Sequence, residues 1–229
     1  MSFFLSMNLD VILFGATGMV GSAVLIECLE HPSVQSVLSV GRRASGVEHR
    51  KLKELIHRDF QDFSAIEKEL SGYSACFFCL GVSSVGISRE EYRRITVEYT
   101  QKAAEALSRL NPAMTFCFIS GAGTDDTLRS RQRWARVKGE AENLLKMLPF
   151  KDVYLMRPAY IQPRKGAERV LWMYKILGPL YGLWKLLFPN HVMRAEDVGR
   201  AMIAAALYGA EKQTLESSDM VHLARRAHA

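Results

Sequence analysis

The fold is decided by residues 11–21, which read VILFGATGMVG. The first four residues form a short apolar run typical of a buried strand, and three glycines follow at the spacing GxxGxxG. Gly15 permits a tight turn out of the strand, Gly18 lets the backbone approach a pyrophosphate, and Gly21 allows close helix–strand packing. A strand, a glycine loop and a helix in this order predict a dinucleotide-binding βαβ unit.

The backbone of this loop is the predicted phosphate site. A helix that starts after such a loop presents unpaired N–H groups and the positive end of its dipole to an anion. The alternative is a glycine-rich turn that binds no ligand. The residues expected to contact the cofactor are Gly15, Ala16, Thr17, Gly18, Met19 and Val20.

Short apolar runs alternate with helical patterns from the N-terminus to about Arg157, which predicts parallel strands with helices on both faces. Strands are predicted at residues 11–14, 34–40, 55–57, 75–80, 114–119 and 153–156, and helices at residues 19–29, 63–70, 89–110, 132–147 and 195–207. The predicted fold is α/β, a Rossmann-type doubly wound parallel sheet. It forms one domain over residues 1–229, with a small, mostly helical substrate-side extension at about 164–229.

The end of the second predicted strand carries Gly41, Arg42 and Arg43. Proteins that bind NAD place an acidic residue there, about 20 residues after the glycines, to bind the ribose 2′-hydroxyl. Two guanidinium groups instead suit bidentate contacts to the 2′-phosphate of NADP. The predicted cofactor is therefore NADP(H) rather than NAD(H), and the alternative is a solvated pair of surface arginines.

The composition is that of a globular domain, because 48% of the 229 residues are hydrophobic and 24% are charged. The formal net charge of +6 is spread along the chain without a block of five or six like charges. Such a chain is not expected to carry a nucleic-acid-binding tail. The expected partner is a small-molecule substrate.

Cys76 and Cys79 form a CxxC motif, which is compatible with a redox or metal site. Residues three apart on a strand point to opposite faces of a sheet, so the two sulfurs should not converge. No second CxxC or HxxxH motif completes a zinc site, and we predict no metal. Reduced thiols and an N-terminus without the basic region of a signal peptide favour a cytoplasmic protein.

Four further segments follow the glycine loop in a familiar order: CLGVSS at residues 79–84, SGA at 120–122, KGEAE at 138–142 and RP at 157–158. Together with the loop, they resemble the atypical short-chain dehydrogenase/reductase superfamily. The resemblance is strongest to its Tat-interacting-protein-like branch and to bacterial relatives labelled NAD-dependent epimerase/dehydratase-like. It extends over residues 11–221.

The resemblance implies cofactor contacts beyond the glycine loop. These residues follow the C-terminal ends of predicted parallel strands, where ligands bind in open α/β sheets. They are Asp59 and Phe60 beside the adenine, Leu80, Gly81 and Val82 beside the ribose and nicotinamide, and Pro158 and Tyr160 beside the carboxamide. For Asp59, the alternative is a turn or helix-cap aspartate.

The resemblance also implies two catalytic residues. Ser120 stands in the place of the serine that orients a substrate carbonyl. Lys138 matches the lysine that binds the nicotinamide ribose and lowers the pKa of a neighbouring phenol. For Ser120, the alternative is a strand-end serine that satisfies backbone groups.

The catalytic motif of that superfamily is YxxxK, whereas this chain reads WARVK from Trp134 to Lys138. Positions four apart share a helix face, so both side chains are expected on the same side. An indole N–H only donates and does not titrate, so the usual tyrosine proton relay cannot operate. The candidate replacements are a bound water, Tyr92, Tyr99 and Tyr160.

Three functions are compatible with these residues. One is a membrane-surface scaffold that would use residues 170–188, and the other two use the cofactor pocket. The first is an NADP(H)-dependent oxidoreductase or epimerase-like enzyme that uses Ser120, Lys138 and a further acid. The second is a non-catalytic, NADP(H)-sensing regulatory or binding protein, which the missing phenol favours.

An apolar stretch covers residues 170–188 but is interrupted by Lys175, Gly178, Pro179 and Lys185. A membrane-spanning helix needs about 20 apolar residues, so spanning is not expected. The interpretations are a pair of core helices, a substrate-pocket lid, a dimer surface, or a peripheral membrane helix with snorkelling lysines. The resemblance places the substrate side in this region, which would suit an apolar substrate.

Overall fold

The computed structural model of the protein describes residues 8–164 and 192–226. The apolar stretch at residues 170–188 lies outside the described residues, and so do the interpretations attached to it. The predicted extent of the single domain, residues 1–229, stays a prediction for the same reason.

The architecture is a seven-stranded parallel sheet flanked by helices. Its strands, with two outside the main sheet, are β1 Leu9–Phe14, β2 Val34–Gly41, β3 Leu52–Ile56, β4 Ala75–Phe78, β5 Thr115–Ile119, β6 Asp152–Arg157, β7 Tyr160–Gln162, β8 Val192–Arg194 and β9 Thr214–Glu216. The strand order is β3-β2-β1-β4-β5-β6-β9, and every neighbouring pair is parallel. This is the Rossmann order with one strand added at the edge, which confirms the predicted fold class.

Helices cover both faces of the sheet. They are α1 Met19–Glu30, a 3-10 turn Ser64–Ile66, α2 Glu67–Leu70, α3 Arg89–Arg93, a π-helical segment Arg94–Glu98, α4 Tyr99–Leu110, α5 Arg133–Lys146, α6 Ala195–Tyr208 and α7 Ser217–Arg226. Buried side chains of α1, α6 and α7 belong to one core layer, and those of α2, α4 and α5 belong to the other.

Strand β1 shows how one apolar run serves both layers. Val11 and Leu13 lie in the layer of α1, whereas Ile12 and Phe14 lie in the layer of α4 and α5. A central parallel strand is covered on both faces, so its sequence is continuously apolar rather than alternating. The same alternation places Cys76 in the second layer and Cys79 against the first, which confirms that the two sulfurs do not converge.

Several predicted elements differ in their limits. The strand predicted at residues 55–57 lies at Leu52–Ile56, because this edge strand carries charged Lys53 and Glu54 and lacks a clear apolar run. The helix predicted at residues 63–70 is a 3-10 turn followed by one α-helical turn, and the helix at 89–110 contains the π-helical segment.

The described part of the C-terminal region agrees with the helical prediction at α6 and α7 but also contains strands that were not predicted. β8 pairs with β7, and β9 extends the main sheet beside β6. Each of these three strands has three residues, which is too short for a recognisable hydrophobic period.

Candidate functional site

A pocket of about 340 Å³ lies at the C-terminal ends of β1 and β2. Its described lining residues are Gly15, Ala16, Thr17, Ser39, Gly41, Arg42, Arg43, Phe60 and Leu80. The structure therefore brings together the glycine loop, the arginine pair and two of the residues implied by the family resemblance. Ser39, which is buried in β2, was not predicted for this pocket.

The glycine loop leaves no space for side chains at two positions. Gly15 has a φ of +83°, and a Cβ on it would lie 2.6 Å from the carbonyl oxygen of Cys79. A Cβ on Gly21 would lie 2.1 Å from the carbonyl oxygen of Gly15. These close approaches pack the start of α1 against the end of β1, with the loop backbone facing the pocket.

Backbone N–H groups at the start of α1 are the donors that this loop offers. Gly18 donates to the carbonyl oxygen of Gly15 at 2.9 Å, and it precedes α1 without a side-chain cap. The side chains of Met19 and Val20 pack against the core layer. Gly18, Met19 and Val20 are not among the described lining residues, and their predicted cofactor contacts stay predictions. An anion is the natural partner for such uncapped N–H groups.

The arginine pair lies at the open side of the pocket. Arg42 and Arg43 are both exposed and both line the pocket, directly after Gly41 at the end of β2. None of the described lining residues is acidic. The pocket therefore carries positive charge at the position where an NAD-specific protein carries an aspartate or glutamate.

Phe60 and Asp59 differ in their placement. Phe60 is 2% exposed, lines the pocket and packs edge-on against Phe14, with ring centroids 6.2 Å apart. Asp59 is exposed, and its carboxylate accepts the N–H of Gln61 at 2.9 Å. This is the turn arrangement given as the alternative for Asp59, and its contact with an adenine stays a prediction.

The predicted residues in the loop after β4 differ in whether they line the pocket. Leu80 lines the pocket, whereas Gly81 and Val82 are exposed in the loop that follows and lie outside the lining. Their predicted contacts with the ribose and nicotinamide stay predictions.

Ser120 follows β5 directly and is 3% exposed. Its Oγ lies 2.9 Å from Oγ1 of Thr124, and the Thr124 hydroxyl donates to the carbonyl oxygen of Gly121 at 2.8 Å. A hydroxyl carries one hydrogen, so Ser120 is the donor in its contact with Thr124. In this arrangement, the Ser120 hydroxyl can accept a hydrogen bond from a ligand but cannot donate one.

Helix α5 brings Lys138 to the same strand end. Its Nζ donates to the carbonyl oxygen of Ser120 and lies 3.7 Å from the position of a Cβ on Gly121. Burial lowers the pKa of Lys138 to about 8, and the negative charge of Glu142 acts in the opposite direction. The ammonium group therefore gives up its proton far more readily than a surface lysine does.

A buried ion pair lies one helical turn beyond Lys138. Glu142 is fully buried and accepts two hydrogen bonds from Arg157, with 3.0 Å between Nε and Oε1. Arg157 also lies 3.8 Å from Asp126 and 3.7 Å from Glu216, so it connects α5, β6 and β9. In the sequence, Glu142 and Arg157 stand only as parts of the family motifs. The spacing of Lys138 and Glu142 predicts a shared helix face, but it does not predict Arg157 as the partner of Glu142.

Trp134 lies one turn before Lys138 and covers Gly123. A Cβ built on Gly123 would lie 3.4 Å from Cη2 of the indole, and this glycine has a φ of +83°. Both Trp134 and Lys138 thus face the loop that follows β5, which agrees with their predicted common helix face. No titratable group occupies the position of the superfamily tyrosine.

The three candidate tyrosines are engaged in different ways. Tyr92 is 2% exposed, and burial raises its pKa. Tyr99 packs against Phe60, with ring centroids 5.7 Å apart. Tyr160 is half-buried in β7, and its hydroxyl donates to Gln162 at 3.0 Å.

Pro158 connects the end of β6 to the loop of Ser120. Its carbonyl oxygen accepts the N–H of Ala122 at 2.9 Å, and the proline itself is buried. Pro158 and Tyr160 therefore follow the strand next to Ser120, as the sequence predicts. Their contact with a carboxamide stays a prediction.

A Rossmann sheet with a glycine-loop pocket, and with a serine and a lysine at the end of a neighbouring strand, is the architecture of short-chain dehydrogenase/reductase-like proteins. The chain belongs to the NAD dependent epimerase/dehydratase family, whose family model matches residues 11–129.

Curated relatives align over almost the whole chain. Protein FMP52, mitochondrial, from Chaetomium globosum is 28% identical over 235 residues, which cover 93% of this chain and 96% of that protein. Protein HTATIP2 from Rattus norvegicus is 24% identical over 225 residues, which cover 95% of this chain and 90% of that protein.

Solved structures share the fold at lower identity. The Bordetella bronchiseptica enzyme WbmF in complex with NAD+ has a TM-score of 0.67 at 15% identity, over 96% of this chain and 78% of that chain. MoeE5 in complex with UDP-glucuronic acid and NAD has a TM-score of 0.69 at 19% identity, over 90% of this chain and 75% of that chain.

The described residues contain neither a helix that could span a membrane nor a metal-binding cluster. Within residues 8–164 and 192–226, no helix is long and apolar enough to cross a membrane. The same residues contain no group of three or more His, Cys, Asp or Glu side chains arranged to hold a metal ion.

Proposed function

We propose that the protein is an NADP(H)-dependent oxidoreductase or epimerase-like enzyme that acts on a small-molecule substrate. The observation that carries the choice of cofactor is the pair Arg42 and Arg43 in a pocket whose described lining contains no acid. A 2′-phosphate is a dianion that two guanidinium groups can bind by charge-assisted hydrogen bonds, whereas a ribose 2′-hydroxyl is best bound by a carboxylate.

The glycine loop fits the pyrophosphate of such a cofactor. Any side chain at Gly15 or Gly21 would collide with backbone, so the close approach of loop and helix is built into the chain. The uncapped N–H groups at the start of α1 are suited to phosphate oxygens. When bound, the nicotinamide supplies or accepts a hydride.

Ser120 and Lys138 are the residues proposed to act on the substrate side. Ser120 would bind the substrate oxygen, and Lys138 would bind the nicotinamide ribose. The hydrogen bond from Lys138 to the Ser120 carbonyl oxygen supports this proposal, because it brings both residues to the end of β5.

One observation favours a second candidate function. Trp134 stands where a tyrosine would exchange the proton, and its indole packs against Gly123. A non-catalytic, NADP(H)-sensing regulatory or binding protein would need the pocket but not the phenol. Binding of the cofactor without turnover of any carbonyl would favour this candidate.

We also propose a cytoplasmic location. All four cysteines are free thiols, and three of them are fully buried, which suits a reducing compartment. The fungal relatives carry the word mitochondrial in their names. Fractionation of cells that express the tagged full chain separates the two locations, and recovery with mitochondria would contradict the proposal.

The cofactor proposal is tested by titrating the purified protein with NADPH and with NADH. Replacing Arg42 and Arg43 by alanine should weaken NADPH binding roughly ten- to a hundredfold, because charge-assisted contacts contribute about 1.5–3 kcal/mol, and should leave NADH binding unchanged. Arg50→Ala is the matched control, because Arg50 is exposed but lies outside the pocket. Equal affinities of the wild type for both cofactors would contradict the choice of NADP.

A further inference from the structure

We propose that Lys138 itself is the general acid and base of this site, in place of the tyrosine that the chain lacks. The proposal rests on the proposed oxidoreductase function. It assigns to Lys138 the transfer of a proton to and from the substrate oxygen, in addition to ribose binding.

The first argument is position. The Lys138 ammonium donates to the carbonyl oxygen of Ser120, so it lies at the loop that carries the candidate substrate-binding hydroxyl. An ammonium has three N–H donors, and this bond uses one of them. The remaining donors are the ones proposed to serve a substrate oxygen held at Ser120, directly or through one water, since general acid catalysis needs a donor within hydrogen-bond reach.

The second argument is the state of the neighbouring groups. Ser120 directs its hydrogen to Thr124, so it cannot supply a proton to a substrate oxygen in this arrangement. Trp134 has no exchangeable group that titrates in water. Tyr92 and Tyr99 are engaged in packing, as described above. Within the described residues, Lys138 is the titratable side chain that donates a hydrogen bond to the Ser120 carbonyl oxygen.

The third argument is the electrostatic setting of Lys138. Burial brings its pKa to about 8, which lies near the working pH of a general acid. On its own helix, Glu142 opposes this decrease, but the charge of Glu142 is matched by Arg157 on β6.

Several other charges on elements around α5 form ion pairs. Asp126, in the loop before α5, lies 3.1 Å from Lys146, and Glu216 on β9 lies 3.7 Å from Arg157. On the neighbouring α3 and π-helical segment, Arg93 pairs with Glu98 at 3.0 Å and with Glu140 at the surface. The carboxylate that acts on Lys138 is that of Glu142, and its charge is already compensated by Arg157. Burial therefore remains the main cause of the lowered pKa of Lys138.

In the direction of reduction, Lys138 acts as the acid that protonates the substrate oxygen. A hydride from the reduced nicotinamide cofactor adds to the carbonyl carbon, and the π electrons of the C=O bond move to oxygen. The oxygen takes a proton from Nζ of Lys138, which leaves a neutral amine and the oxidised cofactor. The amine then takes a proton from solvent. The reverse direction uses the neutral amine as the base.

The test uses the full-length protein, NADPH and 4-nitrobenzaldehyde as a probe carbonyl. Lys138→Arg keeps a cation for the cofactor ribose, but an arginine cannot release a proton in this range. We expect its rate of NADPH oxidation to fall by at least about 100-fold, as for loss of a positioned acid, while NADPH affinity changes less than about threefold. The wild-type rate should decrease as the pH rises through about 8.

A second measurement does not depend on turnover. Lysine side chains labelled with ¹³C are titrated by NMR in the cofactor-free protein, and the signal missing from Lys138→Arg and from Lys138→Gln identifies Lys138. A pKa near 8 is expected, and a value above 10 would overturn the proposal.

The outcomes separate this inference from the proposed function. Absence of NADPH binding, or binding without oxidation of NADPH by the wild type, would overturn the proposed oxidoreductase and the catalytic role together. NADPH binding and turnover that persist in Lys138→Arg would overturn the role of Lys138 and leave the proposed function intact.

Discussion

The carboxylate of Glu142 is held by the guanidinium of Arg157, with Nε and Oε1 3.0 Å apart and Glu142 fully buried. Two hydrogen bonds and a position at the end of β6 make Arg157 the main compensation for this charge. The hydrogen bonds to Glu142 also raise the pKa of Arg157. The pair anchors the segment of α5 that carries Lys138 to β6. Loss of the pair should therefore lower the stability of the fold and disturb the position of Lys138.

Arg157→Leu should lower the free energy of unfolding by about 3–5 kcal/mol, because it leaves a buried carboxylate without a partner. Urea unfolding at pH 7 measures the effect. Arg109→Leu is the matched control, because Arg109 pairs with Glu67 at the surface and an exposed pair contributes about 1 kcal/mol or less. An equal loss of stability in the two variants would show that the buried Glu142–Arg157 pair contributes no more than a surface pair. The double substitution Glu142→Leu/Arg157→Leu should recover part of the loss.

Lys138→Met should stabilise the protein at pH 7 by about 1–3 kcal/mol. Burial lowers the pKa of Lys138 from 10.5 to about 8, so below pH 8 folding must bury a charge that the unfolded chain leaves in water. The sign follows: the wild type gains stability from this group as the pH rises from 8 to 10.5, and the difference from Lys138→Met disappears above that range. Urea unfolding of both proteins between pH 7 and pH 10.5 is the measurement. A Lys138→Met protein that is less stable at pH 7 would contradict the burial of the charge.

Two glycines of the cofactor loop should respond differently to substitution. Gly18→Val should abolish NADPH binding and leave a folded domain, because a Cβ there meets only the Gly15 carbonyl at 3.2 Å, while the side chain would occupy the approach of the pyrophosphate. Gly21→Ala should destabilise the fold itself, because its Cβ would lie 2.1 Å from the same oxygen. Calorimetry with NADPH and thermal unfolding followed by circular dichroism distinguish the two effects. Unchanged affinity in Gly18→Val would mean that the loop is only a turn.

The parts of the fold that the sequence predicts well are those with strong local signals. β1 and its glycine loop combine a doubly buried strand with positions where only glycine fits, so residues 11–21 were sufficient to predict a dinucleotide-binding βαβ unit. β9 shows the opposite case. Its three residues join the sheet only because α6 returns the chain to β6, which is a tertiary effect without a local pattern.

The residues of the site also differ in how far the sequence predicts them. Arg42 and Arg43 could be placed from the end of their strand, because ligands bind at one edge of a parallel sheet, whereas Phe60 was predicted from the family resemblance. The contacts of Thr124 with Ser120 and of Arg157 with Glu142 depend on how loops and helices meet, which residue spacing does not specify. The turn role of Asp59 shows how a position can match a family pattern while its side chain serves the backbone.

Trp134→Tyr should increase the rate of NADPH oxidation with 4-nitrobenzaldehyde by at least about tenfold, with little change in NADPH affinity. The wild type is expected to be slow, because a lysine must transfer the proton without the phenol that occupies this position in the superfamily. The substitution places a phenol one helical turn before Lys138 and facing the same loop, where the cation lowers the pKa of the phenol. Steady-state kinetics of the variant beside the wild type are the measurement.

Trp134→Phe is the matched control, because it also reduces the side chain that covers Gly123 but adds no hydroxyl. Both variants lose packing in the same place, and both should unfold at lower urea concentration for that reason. If the gain comes from proton transfer, it appears in Trp134→Tyr alone and its pH dependence reports a new titrating group. A similar gain in Trp134→Phe would show that the indole limits access to the site, and a vigorous wild-type rate that falls on substitution of Tyr160 would assign the acid to that residue.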